Sequence, residues 1–265
     1  MAIAQGFQGK ISETLTEVKM SQTLTLFHAE PYLKQLDCRV DRLERDDAGL
    51  PFALLGETVF YPQGGGQLGD RGVLNIPLAG EGEALRTLEI VATKKRDDQI
   101  RHYLSIDDET FAELQTRVSD QQATATLDWP LRYHQMRVHS AMHLIHCMLE
   151  RTLGRAIAHP VRSPLSDEGG ENQYEFVGEF DEDSLRRATD ALNEFCSASH
   201  EIRTEADTRQ GQGFRWWQCE DWSIPCGGVH VRNTQEIGVV TSSMKIKKNT
   251  TRVLVTLSAE AEELG

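Results

Sequence analysis

The sequence predicts an α+β chain in two domains, an N-terminal β-barrel-like domain followed by an antiparallel sheet with packed helices. Three observations predict it. From Thr23 to Leu127 short alternating apolar runs recur between glycine and proline breaks, the pattern of a sandwich or barrel. At Asp128 the period changes to that of a long helix. After a second helical stretch the alternating runs return. A length of 265 residues accommodates one large or two modest domains. The expected division is 1–22 as an N-terminal extension, 23–128 as the β-barrel-like domain and 129–265 as the α+β domain.

The elements follow in order. Residues 1–22 mix Glu13 and Glu17 with Lys10 and Lys19 around no apolar core, which reads as a loosely ordered extension and not as a signal peptide. TLTLFHA, CRVDRLE, FALLGETVFY, RGVLNIPL, RTLEIVA, IRHYLSI and ATATLDW supply the strands of the first domain, and the acidic stretches at Asp97, Asp98, Asp107 and Asp108 read as loops between them. In DWPLRYHQMRVHSAMHLIHCMLERTLG, Asp128 is the N-cap, Pro130 sits in the first turn and Gly154 is the stop. Leu131, Val138, Met142, Ile145 and Leu149 follow helical spacing and should face the core. SPLSDEGGENQ, 163–173, reads as a flexible excursion before a second helix across DEDSLRRATDALNEFCSA. EIRTEAD, FRWWQCED, GGVHVRN, IGVVTSSMKIKK and TRVLVTL are the expected strands of the second domain.

Composition excludes several classes. Twenty-eight Lys plus Arg against 41 Asp plus Glu give a net charge of −13, which argues against generic nucleic-acid binding but leaves room for a local basic strip. No apolar run approaches a membrane span. The five cysteines are odd in number and scattered, which suits reduced thiols in a cytoplasmic protein, with one or more available to a metal.

The loop YPQGGGQLGDRG, 61–72, contains a formal G-x-G-x-x-G with Glu89 twenty places beyond Gly69. A dinucleotide fingerprint requires a helix directly after the glycines, whereas here a turn leads into a strand, and no G-K-[ST] follows. The expectation is a tight β-turn with no nucleotide cofactor, in which Gln67 and Asp70 are polar enough to bind something.

Chemistry gathers elsewhere. His139 and His143 lie four apart on the first long helix, so both imidazoles project from one face. Cys226 and His230 are also four apart, with two glycines between. Three imidazole nitrogens and one thiolate form a tetrahedral set of a softness that suits zinc. His146 and Cys147 compete as partners for His143, and Cys219 could replace Cys226. No H-E-x-x-H is present, since Ser140 follows His139.

His139-Ser-Ala-Met-His143-Leu, Cys226-Gly-Gly-Val-His230-Val with Asn233-Thr234 and Glu236-Ile237-Gly238, and Phe60-Tyr61 through Gly65-Gly66-Gln67 to Gly69-Asp70 together resemble the alanyl-tRNA editing proteins. These are free-standing relatives of the editing domain of alanyl-tRNA synthetase, similar also to that of threonyl-tRNA synthetase. The resemblance covers about residues 24–258 and includes LFHAEPYL near the start. It implies a barrel-like first domain and a zinc-binding editing domain with His139, His143, Cys226 and His230 as ligands. It also implies hydrolysis of the ester joining a wrong amino acid to a tRNA 3′ end, with serine or glycine on alanine tRNA as the usual substrates. No catalytic residue beyond the metal site is assigned. Gly64, Gly65, Gly66 and Gln67 are expected to approach the aminoacyl group. So are Met142, Val229 and His159, which stand where relatives often carry threonine, threonine, and glutamine or threonine; the amino acid removed is therefore open.

The expected partner is mischarged tRNA, met through its acceptor stem and 3′ end. Arg132 and Arg137 on the helix and Lys245 and Lys247 on one strand face are the expected contacts. RWW, 215–217, could stack a terminal adenine, although core aromatics in a strand are the plainer reading. Two alternatives stay open: a tRNA-binding module of this fold without catalysis, and a hydrolase of other aminoacyl esters.

Overall fold

A computed structural model describes residues 23–78, 84–211 and 213–258; the expected extension 1–22 and the C-terminal residues 259–265 lie outside the described residues. In chain order the elements are β1 (Leu24–Thr25), β2 (Gln35–Arg45), β3 (Pro51–Leu55), β4 (Glu57–Thr58), β5 (Gly72–Leu78), β6 (Ala84–Arg96), β7 (Gln99–Leu104), α1 (Asp108–Gln115), β8 (Gln121–Leu127), α2 (Trp129–Leu153), β9 (Gly170–Tyr174), α3 (Glu182–Ser197), β10 (Ile202–Ala206), β11 (Arg215–Cys219), β12 (Trp222–Pro225), β13 (Val239–Lys247) and β14 (Thr250–Ser258).

β2-β3-β7-β6-β5-β8 close into a barrel with every neighbour antiparallel. Alternation decides which side chains fill it: Leu74, Ile76 and Leu78 of β5 and Ala123, Ala125 and Leu127 of β8 are buried at every second position. Register shifts between Val40 and Arg42 and between Ile90 and Ala92 bend β2 and β6, as closure of a small barrel requires. One acidic stretch expected as a loop is instead a helix. Asp107 caps α1 by accepting from Thr110 N at 2.7 Å, Asp108 and Glu109 sit in its first turn, and Phe111 and Leu114 enter the barrel core. Acidic residues that look like loop punctuation are also what a helix N-terminus favours.

His102 is fully buried in the barrel wall, donating from Nδ1 to Ala53 O at 3.2 Å and accepting from Thr58 Oγ1 at 2.8 Å. Burial lowers its pKa from 6.5 to about 4, against a smaller raising effect of the Ala53 carbonyl. The unfolded chain takes up this proton below about pH 6.5 while the folded chain does not until about pH 4, so stability falls with pH across that window by up to ~3 kcal/mol. His102→Gln should therefore show a shallower drop in urea midpoint than the unsubstituted protein between pH 7 and pH 4.5. Equal drops would mean that His102 is not the acid-sensitive group.

α2 starts and stops where the sequence places it: Asp128 caps it and Gly154, at φ 65°, ends it in the left-handed region. Val138, Met142, Ile145 and Leu149 are buried as expected, while Leu131 is only half-buried. The helix packs against α3, β9, β14 and a 3-10 turn at Thr234–Ile237. β13-β14-β9 and β10-β11-β12 form two three-stranded sheets beside it. Two expectations fail. GGVHVRN is an irregular loop, and 163–173 is no loose excursion, because Leu165 is buried and Gly170–Tyr174 is a sheet strand. Barrel and helix share a core, since Tyr61 and Ile100 pack in the same apolar cluster as α2. Among the described residues no helix is long and apolar enough to cross a membrane.

Candidate metal centre

α2 delivers His139 and His143 from one face, and the loop after β12 delivers Cys226 and His230. The metal-binding atoms of these four residues lie within 4.8 Å of one another. Cys226 Sγ is 3.4 Å from His139 Nε2 and 3.3 Å from His230 Nε2. Bond lengths in tetrahedral zinc sites put neighbouring donor atoms about 3.3–3.8 Å apart, a range that the two Cys226 spacings meet. His143 Nε2 is buried without a hydrogen-bond partner, a position that costs free energy unless something else takes the lone pair. The residues therefore could hold a metal ion.

Burial governs their protonation. It lowers His139 to about 4, and it lowers His143 and His230 well below 6.5 with help from neighbouring imidazoles. It pushes the Cys226 thiol up to about 11, opposed by the Gly228 N–H. Three neutral imidazoles thus stand ready as ligands, and the thiol would give up a proton on binding a cation.

The loop must come very close to the helix. A Cβ on Gly228 would lie 2.3 Å from His139 Cε1 and 2.7 Å from Gln67 Oε1, so only glycine fits. Ser140 supports His230 from behind: its hydroxyl donates to Met136 O at 2.8 Å, accepts from Val231 N at 3.3 Å and lies 3.4 Å from His230 Nδ1. His28 donates to Gly227 O at 2.8 Å, and Trp217, fully buried, packs its ring 5.0 Å from that of His143. Nothing in the sequence singled out Ser140 or His28, although Ser140 sits inside the H-x-x-x-H.

His139, His143 and Cys226 open onto a cavity of about 920 Å³ between the glycine loop, α2 and the segment 159–164. Gly64, Gly65, Gly66, Met142 and His159 line it, with the His159 ring 4.6 Å from that of His146. Gln67 and Val229 do not line it; they are 1% and 2% exposed behind it, where Gln67 Oε1 accepts from Val229 N. Within the glycine run Gly66 is the crowded member: at φ 91°, a Cβ there would lie 2.2 Å from Ser163 O, whereas Gly65 faces open space.

Two expected RNA contacts are corrected. Arg132 is 1% exposed and is held by Asp70, Val59 O and Pro31 O. Arg137 is 5% exposed and donates to Ile237 O from Nε and Nη2. No residue of α2 from Leu131 to Glu150 is exposed, so Arg132 and Arg137 are not surface residues, whereas Arg151 in the last turn is. Lys245 and Lys247 are exposed on β13. Trp217 belongs to the core and Trp216 is partly exposed.

A barrel loop propping a His3Cys cluster against a cavity defines a candidate metal-binding protein, and sequence comparison narrows the class. The family model for the second additional domain of threonyl- and alanyl-tRNA synthetases matches residues 215–253, which include Cys226 and His230. The chain is 29% identical over 222 residues to the alanyl-tRNA editing protein AlaX-M of Pyrococcus horikoshii, covering 83% of this chain and 89% of that protein. It is 26% identical to the alanine–tRNA ligases of Saccharolobus islandicus and Ignicoccus hospitalis over 241 and 253 residues, or 83% and 87% of this chain. In both cases it spans 25% of the ligase. The chain is an AlaX-like relative of the alanyl-tRNA editing proteins.

Proposed function

We propose that this chain is a zinc-dependent hydrolase that removes the amino acid from mischarged tRNA in trans, on alanine tRNA in the first instance and in the cytoplasm where charged tRNA is used. The observation that carries the reading is the cluster of His139, His143, Cys226 and His230, the first three of which line one cavity, in a chain related to alanyl-tRNA editing proteins. The division into a barrel, 23–128, and an editing domain from 129 onward belongs to the same reading.

When bound, zinc would supply a fixed positive charge and Lewis acidity at the cavity wall. The chain's own residues do the rest. The backbone of Gly64–Gly66 lets the aminoacyl group approach closely, because no side chain stands in the way. Met142 offers an apolar wall, while His159 and His146 offer imidazole nitrogens that can bond a hydroxyl or an amine. Apolar shape alone discriminates by only about 1–3 kcal/mol, so the two imidazoles are the better source of selectivity for a polar side chain such as serine.

The tRNA approaches over the sheet. Lys245 pairs with Arg252, and Arg252 with Gln173, which lines the cavity. At about 4.8 Å per strand the row runs ~10 Å from Lys245 to the cavity lip. Arg162 stands exposed at that lip. This local strip answers the net charge of −13.

A panel of mischarged tRNAs tests the proposal. Incubation with zinc-loaded protein should release serine or glycine from alanine tRNA and leave correctly charged alanine in place. No ester loss on any member of the panel, with zinc confirmed bound, would overturn it.

A further inference from the structure

Gln67 was expected to touch substrate, and it does not line the cavity. Its side-chain oxygen is placed where two elements from distant parts of the chain meet. Oε1 accepts from Val229 N at 3.0 Å and lies 3.1 Å from His139 Nδ1. Val229 lies in the loop between Cys226 and His230, so one atom touches both halves of the metal set. The amide cannot be reversed, because its NH2 would then face the Val229 N–H donor. An acceptor-only oxygen facing Nδ1 requires that nitrogen to carry the proton, which leaves Nε2 as the lone-pair nitrogen facing Cys226 Sγ at 3.4 Å.

The backbone around Gln67 is equally constrained. Gly64 and Gln67 exchange hydrogen bonds, Gln67 N to Gly64 O at 3.0 Å and Gly64 N to Gln67 O at 3.2 Å, around Gly65 and Gly66 at φ 59° and 91°. Two adjacent positive-φ residues make a tight hairpin turn that side-chain-bearing residues seldom adopt. Gly66 O in turn accepts from Leu165 N at 2.8 Å, tying the same loop to the far lip of the cavity. Gln67 Nε2 is buried and has no partner, an uncompensated loss that packing alone does not explain.

We propose that Gln67 is the positioning residue of the metal centre: its carbonyl oxygen fixes His139 in the Nε2-facing tautomer and keeps the Cys226–His230 loop in register with α2. The barrel thereby sets the geometry of a site whose ligands all lie outside it. The inference rests on the metal reading of the four residues and adds to it a residue that touches neither metal nor substrate.

The test separates metal binding from folding. Gln67→Met keeps the volume and removes the acceptor; Gln67→Glu keeps an acceptor but buries a charge. Zinc affinity is read by chelator competition, apo-protein stability by urea denaturation, and the His139 ring by its 15N shifts in the zinc-loaded protein. Gln67→Met should bind zinc about 10–100-fold more weakly. Gln67→Glu should hold zinc at least as tightly as the unsubstituted protein while its apo form is less stable. Zinc affinity and apo stability falling together in both variants would indicate a merely structural residue and overturn the proposal. So would zinc affinity within twofold in folded Gln67→Met, or, with no variant needed, 15N shifts placing the metal on His139 Nδ1. If the unsubstituted protein binds no zinc, the metal reading itself fails and this inference with it.

Discussion

Cys226→Ala is expected to strip zinc from the purified protein and to lower deacylation of mischarged tRNA by on the order of 10³-fold, several kcal/mol of lost transition-state stabilisation. The size of the effect follows from the position. Cys226 contributes the only sulfur of the set and lies within 3.4 Å of two imidazole nitrogens, so its loss removes one of the four candidate donors. Cys219, the other thiol that sequence left in contention, is 1% exposed in β11 and does not belong to the cluster. Cys219→Ala should keep its zinc. Because the Cys226 thiol is raised to about 11 and the imidazoles are held neutral, zinc uptake at neutral pH should release about one proton from the unsubstituted protein and none from Cys226→Ala. Elemental analysis and a pH-indicator titration read both. Full zinc content in Cys226→Ala would disprove the ligand assignment.

What the sequence made legible is what local chemistry decides. The i, i+4 spacing on α2 forces His139 and His143 onto one face, and Asp128 and Gly154 carry their own capping signals, so the helix and the shared face of its two histidines could be read directly. Alternation in β5 and β8 told inside from outside for the barrel. The remainder depends on contacts that spacing does not encode. Arg132 and Arg137 looked like RNA contacts because helical periodicity assumes one exposed side, and α2 exposes none between Leu131 and Glu150. GGVHVRN alternates like a strand, yet Gly228 must press against His139, which bends the segment away from any sheet. Asp107 and Asp108 signal a loop and a helix start equally well. The glycine run announced a tight turn correctly, but only the fold reveals that Gly66 is the crowded position and that Gln67 faces the metal set instead of the cavity.

The glycine loop 61–72 also holds the molecule together, through Asp70. Its carboxylate is 4% exposed and meets Arg132, 1% exposed, with Nε 2.9 Å from both oxygens and Nη2 closer still. The same carboxylate accepts from Tyr61 N at 2.5 Å, and Arg132 Nη2 donates to Val59 O at 2.6 Å. Every one of these bonds crosses between the barrel and α2 or braces the loop that does. Asp70→Asn should therefore destabilise the protein by about 3–5 kcal/mol, since it leaves a buried guanidinium without its counter-charge. Arg132→Met should cost a similar amount by stranding the carboxylate. The pair together should cost less than the sum of the two, because once both charges are gone no desolvated ion remains and the buried pair was worth little against apolar packing. Urea denaturation of the four proteins reads the cycle. Strict additivity would mean that Asp70 and Arg132 act separately, and that α2 is docked on the barrel by apolar contact alone.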